Sequence, residues 1–236
     1  MEILALIPAR SGSQRIPNKN IVSLNGKPLL AYTIEASKNS KYVHRIVVST
    51  DSSEIADVAR EYGAEAPFLR PVDISKNDSR EIEFYGHALN WLSEHENYVP
   101  DLIVTLYPTA PFRKVSSIDS AIEKMLSFPE ADSLRSVRLC SEHPYKMWQM
   151  NGDYLVPFVQ EKDKNIHTLS YHLLPAVYVQ NANIYITKPA TILNKQSPMG
   201  DAILAFPMDE WESLDINTPV DLEIAEARFE KKRVMI

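Results

Sequence analysis

Apolar runs of strand length alternate with helix-length amphipathic stretches along most of this chain, and that rhythm limits its fold more than any other feature. Residues 3–7, 45–50, 68–69, 102–106 and 133–137 read as strands. Gly26-Lys27-Pro28 turns the chain into a helix over 28–38, with proline suited to a first helical turn. Ser52 or Ser53 caps a helix that runs to Tyr62, where Gly63 supplies a C-terminal stop. A long helix is expected over 79–93, and another, capped by Ser116 or Ser117, to about Phe128. This alternation predicts an α/β fold, a doubly wound and mostly parallel sheet with helices on both faces. From about 139 to 179 the rhythm breaks into a stretch marked by aromatics and prolines, among them His143, Trp148, Tyr154 and Phe158. That stretch predicts an inserted β-rich arm, suited to a dimer contact or a lid. Strands resume at 183–187 and 203–206, followed by an amphipathic helix over 219–233. The economical division is one domain over 1–236 with the arm at about 139–180.

With 236 residues the chain can bury a sizeable core. Its formal charge of −6 argues against non-specific binding of nucleic acid or a membrane surface. Cys140 stands alone, which excludes a disulfide framework or a cysteine metal site within one chain. The first residues lack a signal-peptide pattern and no apolar run reaches membrane-spanning length, so a cytoplasmic location is expected.

Against that acidic background, residues 8–20 hold Arg10, Arg15 and Lys19, two serines, one glycine and no acid. They follow the first strand directly, where an open α/β sheet binds ligands. A solvated turn is the plain alternative. With a single glycine the loop matches neither the Walker pattern nor the dinucleotide fingerprint, so its anion capacity rests on cations as well as backbone N–H groups. A second feature is Ser213-Leu214-Asp215-Ile216-Asn217-Thr218-Pro219. In an extended segment Asp215 and Asn217 point to one side, and two oxygen ligands suit Mg²⁺. Asn217 or Thr218 before Pro219 is equally a helix cap, so that pair does both jobs or only capping. Asp51 and Arg70 end strands on the ligand-binding side, and His143 and Lys146 in the arm could reach an acidic substrate.

Residues 7–20 read Ile-Pro-Ala-Arg-x-Gly-Ser-x-x-Ile-Pro-x-Lys-Asn, a segment that resembles the nucleotide-binding signature of one enzyme family. With Val48-Ser49-Thr50-Asp51, Tyr62-Gly63-Ala64-Glu65, Phe68-Leu69-Arg70-Pro71, Pro108-Thr109-Ala110-Pro111 and Asp215-Ile216-Asn217-Thr218, it resembles the acylneuraminate cytidylyltransferase family over nearly the whole chain. These are the CMP-sugar synthetases for nonulosonic acids of sialic, legionaminic or pseudaminic type. The resemblance implies a nucleotidyltransferase fold, CTP as donor, an acidic keto-sugar acceptor, Mg²⁺, and a homodimer whose arm helps to close the partner's site. It assigns Arg10, Ser13, Lys19 and Asn20 to the CTP phosphates and ribose region, Arg70 to the nucleotide, and Asp215, with Asn217 as second candidate, to Mg²⁺. Ala9, Gln14, Arg15, Ser79 and Tyr107 complete the implied substrate-binding set, while Lys146 and Asn181 would meet the acceptor. Arg10, Lys19 and Asp215 carry the implied catalytic role.

The chain also departs from the family pattern. Gln14 stands where sialic acid synthetases usually have a phosphate-binding Lys, and Asn217 where a second Asp is often found. Tyr107 replaces a sugar-reading Gln, and the stretch around Tyr171 and Val179 lacks arginines that many members use on the acceptor. The expected reaction joins CTP and a nine-carbon keto acid with release of pyrophosphate. Two other readings are a synthetase for the eight-carbon KDO acid, whose first loop is similar, and a nucleotide-binding sensor without turnover. Tyr107-Pro108-Thr109-Ala110-Pro111 stands where the KDO enzymes generally carry an acidic motif.

Overall fold

The computed structural model describes residues 1–163 and 165–234. Lys164 in the arm and the last two positions of the expected domain lie outside the described residues. β1 (Ile3–Pro8) leads through a small ribbon, β2 (Ser23–Leu24) and β3 (Lys27–Pro28), into α1 (Leu29–Lys38). Next come β4 (Arg45–Ser49), α2 (Ser53–Glu61), α3 (Glu81–Glu96), β5 (Leu102–Leu106), α4 (Val115–Leu126) and β6 (Ser133–Leu139). The arm holds a hairpin of β7 (Trp148–Asn151) and β8 (Tyr154–Pro157). It is followed by β9 (Tyr178–Thr187), α5 (Pro189–Lys195), β10 (Ile203–Pro207) and α6 (Pro219–Val234).

Six strands form one sheet in the order β10-β6-β9-β5-β1-β4, parallel throughout except for β9, which runs against both neighbours. Alternation along β1 explains its place inside the sheet, between β5 and β4. Ile3, Ala5 and Ile7 pack with Leu30 and Ile34 of α1, Ile55 of α2 and Ile122 of α4. Leu4 and Leu6 face the other way, onto Phe84, Leu89 and Leu92 of α3 and Ile192 of α5. A strand apolar on both faces belongs inside a sheet covered on both sides. The doubly wound, mostly parallel sheet expected from the rhythm is therefore present.

Because β4 and β5 lie on opposite sides of β1, the chain reverses direction across the sheet there, and a crevice opens beyond the carboxyl ends of β1 and β5. The basic loop after β1 and the proline-bounded loop after β5 form its walls.

Four local expectations need correction. Residues 68–69 form one bridge, Thr50 to Leu69, and not a strand, because Pro67 and Pro71 cannot continue a ladder. That bridge and Val47 to Glu65 still cover the edge of β4. α4 starts at Val115 after Lys114, and neither Ser116 nor Ser117 is its N-cap. Distant Glu212 does the capping, accepting from the Lys114 N–H at 3.0 Å and the Ser117 hydroxyl at 2.7 Å. The long helix begins at Glu81, two residues later than expected, where the Arg80 N–H meets the Glu83 carboxylate at 2.6 Å. Finally, the arm is poorer in strand than expected. Outside its hairpin it is built on the short 3-10 turns Pro144–Lys146, Ile166–Thr168 and Tyr171–Leu173.

Candidate active site

The loop after β1 is pinned at three points, so its cations do not collapse onto acids. The Ala9 N–H extends the strand pairing to the Ser49 carbonyl at 2.9 Å. Asp51 accepts from both the N–H and the hydroxyl of Ser11, each at 2.8 Å. Asn20, buried, donates to the Arg10 carbonyl at 2.9 Å. The Arg10 guanidinium donates to the Gly12 carbonyl at 2.9 Å, curling the loop on itself.

The loop after β5 is held from beneath by Arg113. This buried guanidinium donates to the Tyr107 carbonyl, the Thr33 hydroxyl and both the side-chain and main-chain oxygens of Asn183. In turn the Thr109 carbonyl accepts from the Ile216 N–H at 2.8 Å, which draws the segment before α6 to the crevice. There Thr218 and Asp221 cap α6 reciprocally. The Thr218 N–H donates to Asp221 at 2.7 Å, and the Asp221 N–H to the Thr218 hydroxyl at 3.3 Å. Burial opposes ionisation of Asp221, yet the donors of Asn217 and Thr218 hold its carboxyl below the usual range.

Three cavities result. The first, about 280 Å³, is lined by Arg10, Lys19, Asn20, Arg70, Ser79 and Tyr107 among others. The second, about 270 Å³, lies between Arg10, Ser13, Gln14, Arg15, Lys19 and Asn217, and no carboxylate among the described residues lines it. The third, about 540 Å³, is bounded by Asn181, Asp215, Asn217 and Asp221 with several neighbours. Arg10, Ser13 and Lys19 are shared by the first two cavities, and Asn217 by the second and third.

Lys19 joins the two halves of the site. Its ammonium donates to the Asn217 side-chain oxygen at 2.9 Å and to the Ile216 carbonyl at 3.0 Å. Burial lowers its pKa, opposed by Asp215, while Arg10 and Arg15 lower it further. Asn217 passes the connection on by donating to Asp215 Oδ2 at 2.6 Å. Asp215 Oδ1 is buried and has no hydrogen-bond partner among the described residues. Arg70 presents the complementary case. It is buried, its Nε and Nη2 have no partner among the described residues, and burial lowers its pKa. Unpaired buried polar groups cost folding energy, so both call for a ligand of opposite character.

Ser79, Tyr107 and Asn181 line these cavities while holding protein partners, and Ala9, Lys146 and His143 are not in their linings. Ala9 is fully buried and borders none of these cavities. The Ser79 hydroxyl accepts from the Lys76 N–H. Asn181 is buried with its amide donating to Ser213 and its oxygen accepting from Ser136. Lys146 donates to the His167 and Leu169 carbonyls inside the arm, away from these cavities. His143 likewise serves the arm, between the Tyr145 N–H and the Pro175 carbonyl. The Tyr107 hydroxyl donates to Glu81, and burial raises its pKa, so it stays protonated. Glu81, Arg113 and Glu212 went unforeseen. Each is buried or paired by an element far away in the chain, and no local pattern announces that.

Residues 4–199 match the family described as Cytidylyltransferase. The chain belongs to that family. The chain is 35% identical over 233 residues to the CMP-N,N'-diacetyllegionaminic acid synthase of Legionella pneumophila, covering 98% of this chain and 97% of that one. It is 32% identical over 235 residues to an N-acylneuraminate cytidylyltransferase of Escherichia coli, covering 98% of this chain and 53% of that protein, so it spans about half the length of that relative. Among solved structures, CMP:2-keto-3-deoxy-manno-octonic acid synthetase in complex with CTP superposes with a TM-score of 0.69 at 16% identity, over 98% of this chain and 100% of that one. A cytidylyltransferase of Leptospira borgpetersenii gives 0.61 at 18% identity, over 98% and 87%. At such identities these two matches speak for the shared fold. No helix among the described residues is long and apolar enough to cross a membrane.

Proposed function

We propose that this chain transfers the cytidylyl group of CTP to the anomeric hydroxyl of a nonulosonic acid and releases pyrophosphate. The observation that carries this reading is the juxtaposition at Asn217. A cavity walled by Arg10, Arg15 and Lys19, with no acid in its described lining, adjoins a larger one bearing the orphaned oxygen of Asp215. Cations without acids suit phosphates, and a bare carboxylate oxygen beside phosphates suits a hard divalent cation. The relatives' names supply the acceptor class, since they include N-acylneuraminate, legionaminic and pseudaminic enzymes.

On this reading the first cavity takes the cytidine, with the free Arg70 donors meeting acceptor atoms of the base. Arg10, Arg15 and Lys19 hold the phosphates in the second cavity and stabilise charge on the departing pyrophosphate. The acceptor lies in the third, so that its anomeric oxygen attacks the α-phosphorus in line as pyrophosphate leaves on the opposite side. Asp215 fits a Mg²⁺ ligand, because its buried Oδ1 lacks a donor. Mg²⁺ usually takes one or two protein carboxylates and fills its other positions with water and substrate oxygens. When bound, the ion neutralises phosphate charge and favours ionisation of the attacking hydroxyl. Asn217 is bonded on both sides and acts here as the strut between Lys19 and Asp215. We also place the enzyme in the cytosol and as a homodimer through its arm, where Met150, Tyr154, Leu155 and Phe158 are exposed.

Pyrophosphate release with CTP and Mg²⁺, assayed against N-acetylneuraminic, legionaminic, pseudaminic and KDO acids, tests this reading. Turnover with a nine-carbon acid is the expected result. CTP binding with no turnover would favour a sensor, and turnover with KDO alone the eight-carbon reading. Replacing Arg10 by Ala should lower kcat/KM for CTP by about a hundred-fold, the usual loss for one electrostatic contact to a developing charge.

A further inference from the structure

The third cavity has an electrostatic problem that its neighbours lack. Glu210, Asp215 and Asp221 line it, so an acidic acceptor must enter a space already rich in carboxylates. A single cation, Arg138, stands in its described lining. Arg138 forms no ion pair among the described residues. Its Nη1 makes two long contacts, to the Leu139 carbonyl at 3.3 Å and the Ser141 hydroxyl at 3.5 Å.

The sheet explains how this arginine comes to the cavity. Arg135 pairs with Tyr185 across the β6–β9 ladder, but Val137 pairs with Gln180, so β9 carries extra residues there. The excess is taken up by a bulge around Asn181 and Ala182, the latter held at φ 47°. Ser136 stitches the bulge to β6, donating to Asn181 at 2.6 Å and accepting from the Ile184 N–H at 2.8 Å. Past the bulge, Arg138 lies opposite Val179, while Arg135, three residues back, is spent on Glu81 and the Tyr185 ring. Bulges of this kind re-aim side chains beside a site.

We propose that Arg138 anchors the acceptor through its carboxylate and thereby sets the requirement for an α-keto acid. This assignment rests on the cytidylyltransferase reading above. A guanidinium not committed to an acid can grip a carboxylate through two parallel N–H donors, which fixes orientation as well as position. Seated this way, the acid has its negative charge met by the guanidinium, and the anomeric carbon bonded to that carboxylate is fixed in position with it. The arm's Lys146 is held by two carbonyls of its own protomer and is not part of this cavity's lining.

The test is a cycle of enzyme and acceptor changes, using pyrophosphate release with the best nonulosonic acid and with its C1 amide. Arg138→Ala should raise KM for the acid at least thirty-fold while leaving KM for CTP and the melting temperature unchanged. Arg138→Lys should recover part of the loss. The amide should bind the unaltered enzyme as poorly as the acid binds Arg138→Ala, and the two changes together should cost little more than either alone. Equal losses for acid and amide in Arg138→Ala, or an unchanged KM for the acid, would overturn the assignment of Arg138 and leave the reaction standing. No turnover by the unaltered enzyme with any acid would defeat the functional reading, and this assignment with it.

Discussion

At the scale of single residues, the site stores unpaired charge. Arg70 is buried without partners for Nε and Nη2, a state that costs free energy until a ligand supplies acceptors. Arg70→Met should therefore hold or raise the melting temperature of the ligand-free protein. It should also abolish most of the rise that CTP produces, as differential scanning fluorimetry would show. An unchanged CTP shift would remove Arg70 from the nucleotide site. Lys19 gives a pH signature. Its pKa is lowered, chiefly by burial, so it loses its charge at a lower pH than a free lysine. Affinity for CTP should fall as pH rises through that lowered value, and Lys19→Arg should move the fall to higher pH.

Among elements, two distant carboxylates tie the frame together. Glu212 is buried and accepts from the Lys114 N–H, the Lys114 ammonium and the Ser117 hydroxyl, joining the start of α4 to the segment that carries Asp215. Glu212→Ala should cost on the order of 2–3 kcal/mol in denaturant unfolding, because it strands donors and breaks a cap. It should also lower kcat/KM, since the Asp215 segment loses its anchor. Asp132 performs the same service for the turn before β10. The Ala202 N–H, the Lys195 ammonium and the Asp201 N–H hold its carboxyl below the usual range. A depressed carboxyl stabilises fully above its unfolded pKa and loses that contribution as pH falls through its folded one. Asp132→Asn should consequently flatten the acid limb of a plot of melting temperature against pH. Gly200, at φ 70°, belongs to this turn, and a Cβ there would lie 2.5 Å from Asp132, so Gly200→Ala should destabilise.

For the whole molecule, the arm leaves a band of large apolar side chains in water. Met150 and Tyr154 are each 80% exposed and Leu155 is 62% exposed, on the hairpin of β7 and β8. On the homodimer proposed above, this band is the contact surface. Leu155→Glu with Tyr154→Asp should yield a monomer in analytical ultracentrifugation, folded by circular dichroism. If a partner's arm completes the site, the same variant should lose activity. A dimer that survives both changes would place the interface elsewhere.

Local periodicity was enough to read the strand–helix rhythm, the strand at residues 3–7 and the position of the basic loop after it. Residues 3–7 are apolar at both parities, and only a strand covered on both faces accepts that. The sequence also singled out Asp215 and Lys19, although they stand far apart in the chain, by the motifs in which each sits. What each side chain does there was decided by the tertiary structure. Asn181 was spent on Ser136 and Ser213, Asn217 became a strut, and Glu212 replaced the serines as the cap of α4. Arg113, Arg135 and Arg138 look alike in sequence, yet one supports a loop, one is buried against Glu81 and Tyr185, and one is left facing a cavity. Whether a polar group is spent or available depends on which distant acceptors the sheet order and one bulge bring beside it, and local spacing carries no record of that.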